Sequence, residues 1–226
     1  MSRILMIVAA DRAAPLSGEA EVVLHAAPGI PAAPISAHDW TLADLAVLAA
    51  GQNAETEGFS AVCVGEPGDF GANALRSVLD IPVVAAGRSA MLYALTLGAR
   101  FGIVAPPSGY TRAKKLVQEY GLTAQCTGVR AYAETATEGA ILTAAKLAIE
   151  EDGAEVLVLG EPVSPEMTAR LAAALPVPVV EPASLAVMLA ESFLGLGLGQ
   201  SRRTYPVPQA RKPELIAKLV AAGEGA

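Results

Sequence analysis

Gly58 to Pro67 reads G-F-S-A-V-C-V-G-E-P, and Gly153 to Pro162 reads G-A-E-V-L-V-L-G-E-P. Both are apolar runs of strand length closed by Gly-Glu-Pro. Each is followed by a helix-like segment and then by a second echo, I-P-V-V-A-A-G-R-S-A-M at Ile81 to Met91 and V-P-V-V-E-P-A-S-L-A-V at Val177 to Val187. The chain therefore reads as two related α/β halves, each delivering one carboxylate, Glu66 or Glu161, at the end of a buried strand.

Working outward, Ile4 to Ala10 is a continuous apolar run, as expected of a strand covered on both faces. Val22 to Leu24 is a short second strand. Thr41, with Asp44 three positions on, predicts a helix start, and Leu42, Leu45 and Leu48 carry it to about Glu57. Strands are expected at Ala61 to Gly65, Ile81 to Ala85, Phe101 to Ala105, Gly128 to Tyr132, Val156 to Leu159 and Val179 to Val180. Helices are expected at Gly71 to Leu79, Ser89 to Leu97, Thr111 to Tyr120, Glu138 to Glu151, Ser164 to Leu175 and Ala183 to Leu196. This alternation implies parallel sheets with right-handed crossovers, whose ligands bind at the carboxyl ends of the strands.

With 226 residues, 53% hydrophobic and 17% charged, the chain has ample material for a core and is not disordered. No apolar run approaches the roughly 20 residues of a bilayer span. A net charge of −7 without a basic run argues against nucleic acid or an anionic membrane as partner. Two cysteines, Cys63 and Cys126, form no disulfide framework, which suggests a reduced, cytoplasmic enzyme. The expected partner is a small-molecule substrate, and the apolar composition suggests a homo-oligomer.

A carboxylate at the closed end of an apolar strand is desolvated, and two facing one cleft resist ionising together. One protonated and one ionised carboxyl is what two-base proton transfer at carbon requires. The bland alternative is that Glu66 and Glu161 cap helices or pair with surface arginines. Pro67 and Pro162 withdraw two backbone N–H groups from the region, so donors for a substrate oxygen must come from Gly68, Asp69, Val163 or Ser164. Ser108, after the strand Phe101 to Ala105, is either a hydroxyl donor or a turn residue; Asp11 follows the first strand, and Asn73 lies near the start of the helix after Glu66. Asp69 reads best as the N-cap of the following helix. Cys63 reads as a small buried hydrophobe, Cys126 has no base nearby in sequence, and His38 beside Asp39 is the one histidine placed to line a site. The run G-L-G-L-G at Gly195 to Gly199 is a helix stop rather than a nucleotide loop, and no grouping of ligands supports a metal.

The order of G-E-P-G-D-F-G-A-N-A-L-R, L-D-I-P-V-V-A-A-G-R-S-A-M, L-G-A-R-F-G-I-V, E-Y-G-L, A-E-V-L-V-L-G-E-P and A-E-S-F-L-G-L-G-L-G-Q-S-R-R-T-Y-P-V-P resembles the aspartate/glutamate/hydantoin racemase superfamily, nearest its hydantoin racemase branch. The resemblance runs from about Pro34 to Pro208. It implies two Rossmann-like halves related by a pseudo-twofold axis, with the active site in the cleft between them. On that pattern one domain takes residues 1–100 and 181–226, and the other residues 101–180. Members need no cofactor and use one cysteine from each half, on opposite faces of the stereocentre. Matched residue by residue, those cysteines fall on Glu66 and Glu161. The chain also departs from the family at V-A-A-D-R (Val8 to Arg12), where Asn-Pro-Asn is usual, and at A-P-P-S (Ala105 to Ser108), where the family is Thr-rich.

The resemblance thus implies a cofactor-independent racemase or epimerase acting on a small carbonyl compound, hydantoin-like or amino-acid-like. Glu66 and Glu161 are its expected acid–base pair, with Asp11, Gly68, Asp69, Asn73, Ser108, Pro162, Val163 and Ser164 around the substrate. Reference pKa values of about 8.5 for a thiol and about 4.3 for a Glu carboxyl make the carboxylate a weaker base by about 6 kcal/mol, of which burial can restore about half. A more acidic carbon must supply the rest, or another reaction: decarboxylation or ring opening on the same fold, or ligand binding without catalysis.

Overall fold

The computed structural model describes residues 1–9, 15, 18–27, 29–31, 33–133 and 137–223. Two four-stranded parallel sheets carry the chain. The first comprises β1 (Arg3–Val8), β2 (Glu21–Ala26), β3 (Ala61–Val64) and β4 (Val83–Ala85), in the order β2-β1-β3-β4. The second comprises β5 (Phe101–Ala105), β6 (Cys126–Ala131), β7 (Val156–Leu159) and β8 (Val179–Val180), in the order β6-β5-β7-β8. The two orders are one order used twice, as the sequence echo requires. The four inner strands are the most continuously apolar runs, and every residue of β3, β5 and β7 is buried. The edge strands β2 and β6 have no fully buried residue.

Among the described residues there are eight helices: α1 (Ala37–Gly51), α2 (Ala72–Val78), α3 (Ala86–Ala94), α4 (Pro107–Glu119), α5 (Glu138–Glu150), α6 (Pro165–Ala174), α7 (Pro182–Leu196) and α8 (Pro213–Gly223). One face of the first sheet packs Leu5, Ile7, Val62 and Val64 under α1 and α2, through Ala43, Val47 and Leu75. Its other face, with Ile4, Met6 and Cys63, is covered by Ala183, Ala186, Val187 and Ala190 of α7. The second sheet meets α5 and α6 on one face and α4 on the other, where Ala90, Met91 and Ala94 of α3 join Phe101, Ile103 and Val158. The exchange is reciprocal: α3 follows the first sheet and lies on the second, and α7 follows the second and lies on the first. Alanines on both helices, Ala86, Ala90 and Ala94 on α3 and Ala183, Ala186 and Ala190 on α7, permit this close packing.

Three helix starts differ from the sequence expectation by three residues or more, and α1 ends at Gly51 rather than at about Glu57 and α3 at Ala94 rather than Leu97. α1 begins at Ala37, four residues early, because Ser36 and Asp39 form the capping box. The expected partner Asp44 instead accepts from the Gly71 N–H at 2.7 Å, a contact between elements that no local pattern records. α4 begins at Pro107, with Pro106 as its N-cap, so Ser108 sits in a helical first turn. α3 begins at Ala86 rather than Ser89. The G-L-G-L-G run does stop α7, with Gly197 in the left-handed conformation (φ 65°). No helix among the described residues is long and apolar enough to cross a membrane.

Candidate functional site

The chain order reverses between β1 and β3, and again between β5 and β7, which is where a doubly wound sheet opens a crevice at its carboxyl ends. Both Gly-Glu-Pro turns sit there. Gly65 extends the β1–β3 ladder one step past its last strand pair, donating to Ile7 O at 2.9 Å; Gly160 does the same in the second sheet, donating to Val104 O at 2.7 Å. A side chain at either position would meet a close contact. A Cβ on Gly65 would lie 2.6 Å from Met6 Sδ, and one on Gly160 would lie 2.4 Å from Ala105 Cβ. The next residue in each half, Glu66 or Glu161, thus leaves a tightly held strand end.

A cavity of about 330 Å³ lies between the halves, and both glutamates line it. Its walls are largely apolar, with Ile30, Pro34, Phe70, Met91 and Ile103 among them; Gly68, Ser108 and Arg112 add polar groups. Trp40, in the first turn of α1, holds the Pro34 wall by donating Nε1–H to Pro34 O at 2.9 Å. The Ala9 N–H, just past β1, donates to Glu66 Oε1 at 3.0 Å. By ladder register the equivalent of Ala9 in the second half is Pro106. Proline has no N–H to donate, so the bond to Glu66 has no counterpart at the matching position beside Glu161.

Arg112 carries no sequence signal beyond lying on a basic helix. Among the described residues that line the cavity it is the one cation. Its Nε donates to Gly68 O at 2.9 Å, and its guanidinium lies between two rings, 5.3 Å from the Trp40 centroid and 5.1 Å from that of Phe70. This contact ties α4 of the second half to the loop after Glu66. A second tie runs alongside, since Tyr120 O–H donates to Asp69 Oδ2 at 2.7 Å.

Asp69 is not the N-cap of α2; Gly71 holds that position. Asp69 is 7% exposed, has φ 54°, and turns its carboxylate to the start of α3, accepting from the Gly87 and Arg88 N–H groups at 2.8 and 2.7 Å. Burial lifts its carboxyl above the ordinary value of 3.8, against the lowering effect of the Tyr120, Gly87 and Arg88 donors and the Arg76 charge. Burial and the Asp69 charge push the Tyr120 hydroxyl up, so it remains a donor.

The remaining expected site residues lie elsewhere. Asn73 is exposed on α2, accepts from Arg76 Nη1 at 2.9 Å and lines a separate cavity with Asp44 and Lys115. Ser164 is the N-cap of α6, accepting from Met167 N–H, and Val163 packs on the second core. Pro162 is half-buried and, like these two, is not among the residues lining the glutamate cavity. Asp11 lies outside the described residues. His38 is exposed on α1 beside Asp39. Cys63 is buried in β3, where burial pushes its thiol up, and Cys126 is raised by the same cause. Among the described residues no group of three or more His, Cys, Asp or Glu is placed to hold a metal.

The family described as Asp/Glu/Hydantoin racemase matches residues 4–190. The chain belongs to the Asp/Glu/hydantoin racemase family. It is 32% identical to a hydantoin racemase of Pseudomonas sp. (strain NS671), over 84% of this chain and 80% of that protein. Among solved structures it is similar to an allantoin racemase from Klebsiella pneumoniae, with TM-score 0.81 and 24% identity, over 93% of this chain and 95% of that one. It is also similar to an allantoin racemase from Pseudomonas fluorescens, with TM-score 0.79 and 28% identity, over 93% and 98%. It is thus an enzyme of the racemase type, with the fold of those racemases.

Proposed function

We propose that this racemase-family enzyme moves a proton at an acidic carbon of a small cyclic amide of the hydantoin or allantoin class, with Glu66 and Glu161 as its acid–base pair. The observation that carries this reading is that the two glutamates close equivalent strands and line one cavity. A carbon held between them loses its proton to one carboxylate and gains a proton from the other on the opposite face, so mass is unchanged and configuration inverts. Glu66 acts as base toward one enantiomer and Glu161 toward the other, so the two alternate as acid and base. The Ala9 N–H donates to Glu66 Oε1 at 3.0 Å, and the matching position beside Glu161 is Pro106, which has no N–H.

Charge passes to a carbonyl oxygen as the proton leaves, and it must be met by donors already in place. Arg112 takes that role, with its guanidinium fixed between Trp40 and Phe70; Ser108 adds a hydroxyl. A cation beside the developing enolate offsets the weaker basicity of a carboxylate. The apolar walls admit a substituted ring, and the hydantoin and allantoin racemases among the relatives support that substrate class.

The test is deuterium wash-in at C5 of 5-benzylhydantoin in deuterated water. Glu66→Gln and Glu161→Gln are each expected to lose about 10²–10⁴-fold. Full exchange in both variants sinks the two-carboxylate mechanism. A change of product mass would instead indicate a lyase or hydrolase, and binding without turnover a ligand-binding protein.

A further inference from the structure

A second cavity, of about 310 Å³, opens on the far side of α3, between that helix, the start of β4 and the segment after α7. Among the described residues that line it are two guanidinium groups, those of Arg76 and Arg88, and no carboxylate. Arg76 is 7% exposed. Its bonds go to neutral acceptors, Val83 O at 3.2 Å and Asn73 Oδ1 at 2.9 Å, and its face lies 5.4 Å from the Tyr205 ring centroid. Arg88 Nη1 donates to the Tyr205 hydroxyl at 3.0 Å, again a neutral partner. Among the described residues neither guanidinium is within ion-pair distance of a carboxylate. The carboxylate that acts on Arg76 through space is Asp69, whose oxygens are engaged by Gly87, Arg88 and Tyr120.

Arg76 is buried with its coupled carboxylate, Asp69, beyond ion-pair distance and already engaged by three donors, and two cations turned into one concave space repel each other. A negatively charged ligand relieves both. The rest of the lining sets its chemistry: Val84, Leu92 and Phe193 form an apolar floor, with Ser89 at the edge. A phosphate would leave that floor empty, whereas a carboxylate with an apolar substituent meets both parts. We infer that this cavity is a second ligand site, distinct from the glutamate cavity, which binds a small carboxylate bearing an aromatic or branched aliphatic group. Arg76 and Arg88 hold the carboxylate and the Leu92–Phe193 floor takes the substituent.

The experiment is calorimetric titration with phenylacetate, run in the full-length Arg112→Gln variant so that carboxylate drawn to the glutamate cavity does not contribute. Saturable binding with Kd of about 1 mM or tighter is expected. Adding Arg88→Gln should weaken it by about tenfold or more. Leu92→Glu, at a residue 44% exposed, supplies an internal carboxylate and should weaken it comparably without disturbing the fold. Benzyl alcohol, the neutral analogue, should not bind, and inorganic phosphate should bind more weakly than phenylacetate. The inference is overturned if phenylacetate does not bind the Arg112→Gln protein, if neither second change affects it, or if phosphate binds better.

Discussion

The two halves build the same strand end and then support it differently. In the first half the turn after Glu66 is tied to distant parts of the chain: Arg112 and Tyr120 reach it from α4, and Asp69 within it holds the start of α3. In the second half the corresponding needs are met locally. Ser164 caps its own helix, and α7 is capped by the residue just before it, Glu181, which accepts from Ala183 and Ser184 N–H groups. Duplication preserved the sheet and the position of the carboxylate, while the loops diverged. Two chemically identical groups therefore line one cavity from loops that are held differently.

The largest expected effect tests that inequality directly. Pro106→Ala keeps the N-cap backbone accessible (φ −64°) and restores an N–H opposite the one that Ala9 presents. A hydrogen bond to a charged group is worth about 1.5–3 kcal/mol, so the ratio of deuterium wash-in rates at saturation (kcat) for the two enantiomers of the probe should move toward one by about tenfold. An unchanged ratio would show that Ala9 and Pro106 do not make the two glutamates unequal. The two glycines come next. In Gly160→Ala the new Cβ meets backbone, 2.8 Å from Ala105 Cα, whereas in Gly65→Ala it first meets the flexible Met6 thioether. The first should cost about 1–3 kcal/mol and the second less, read from denaturant midpoints. Equal costs would mean that the strand ends are not packed as described.

Asp69→Asn should cost a similar amount, about 1–3 kcal/mol, with a pH signature of its own. Because the folded-state value of Asp69 is raised, its titration adds stability that is fully present below 3.8 and is lost as pH rises through the raised value. The deficit of the Asn variant, followed by thermal melts from about pH 4 to about pH 8, should therefore shrink as pH rises. A deficit that grows with pH would reverse the sign of the argument. Smallest is Tyr120→Phe, which removes one bond across the cleft and should cost about 1 kcal/mol.

The strands and both glutamates were legible in the sequence because buried parallel strands and a repeated turn leave local marks. The start of α1 is ambiguous in the sequence because two capping patterns, Ser36 with Asp39 and Thr41 with Asp44, follow one another within nine residues, and only the contact of Asp44 with Gly71 separates them. Pro106-Pro107 did carry a readable helix-start signal that places Ser108 inside α4. Arg112, Tyr120 and the true partners of Asp69 left no such mark. Their contacts join residues at least 18 apart, and a basic helix reads alike whether it faces solvent or a second domain.

Gly65 and Gly160 bear the steric demands of the strand ends, one position before the glutamates. Under the proposed function, strand-end packing and chemistry fall to neighbouring positions. A reactive group can be exchanged there for another of different acidity while the scaffold beneath stays intact, which makes these two positions the natural handles for redirecting the reaction by design.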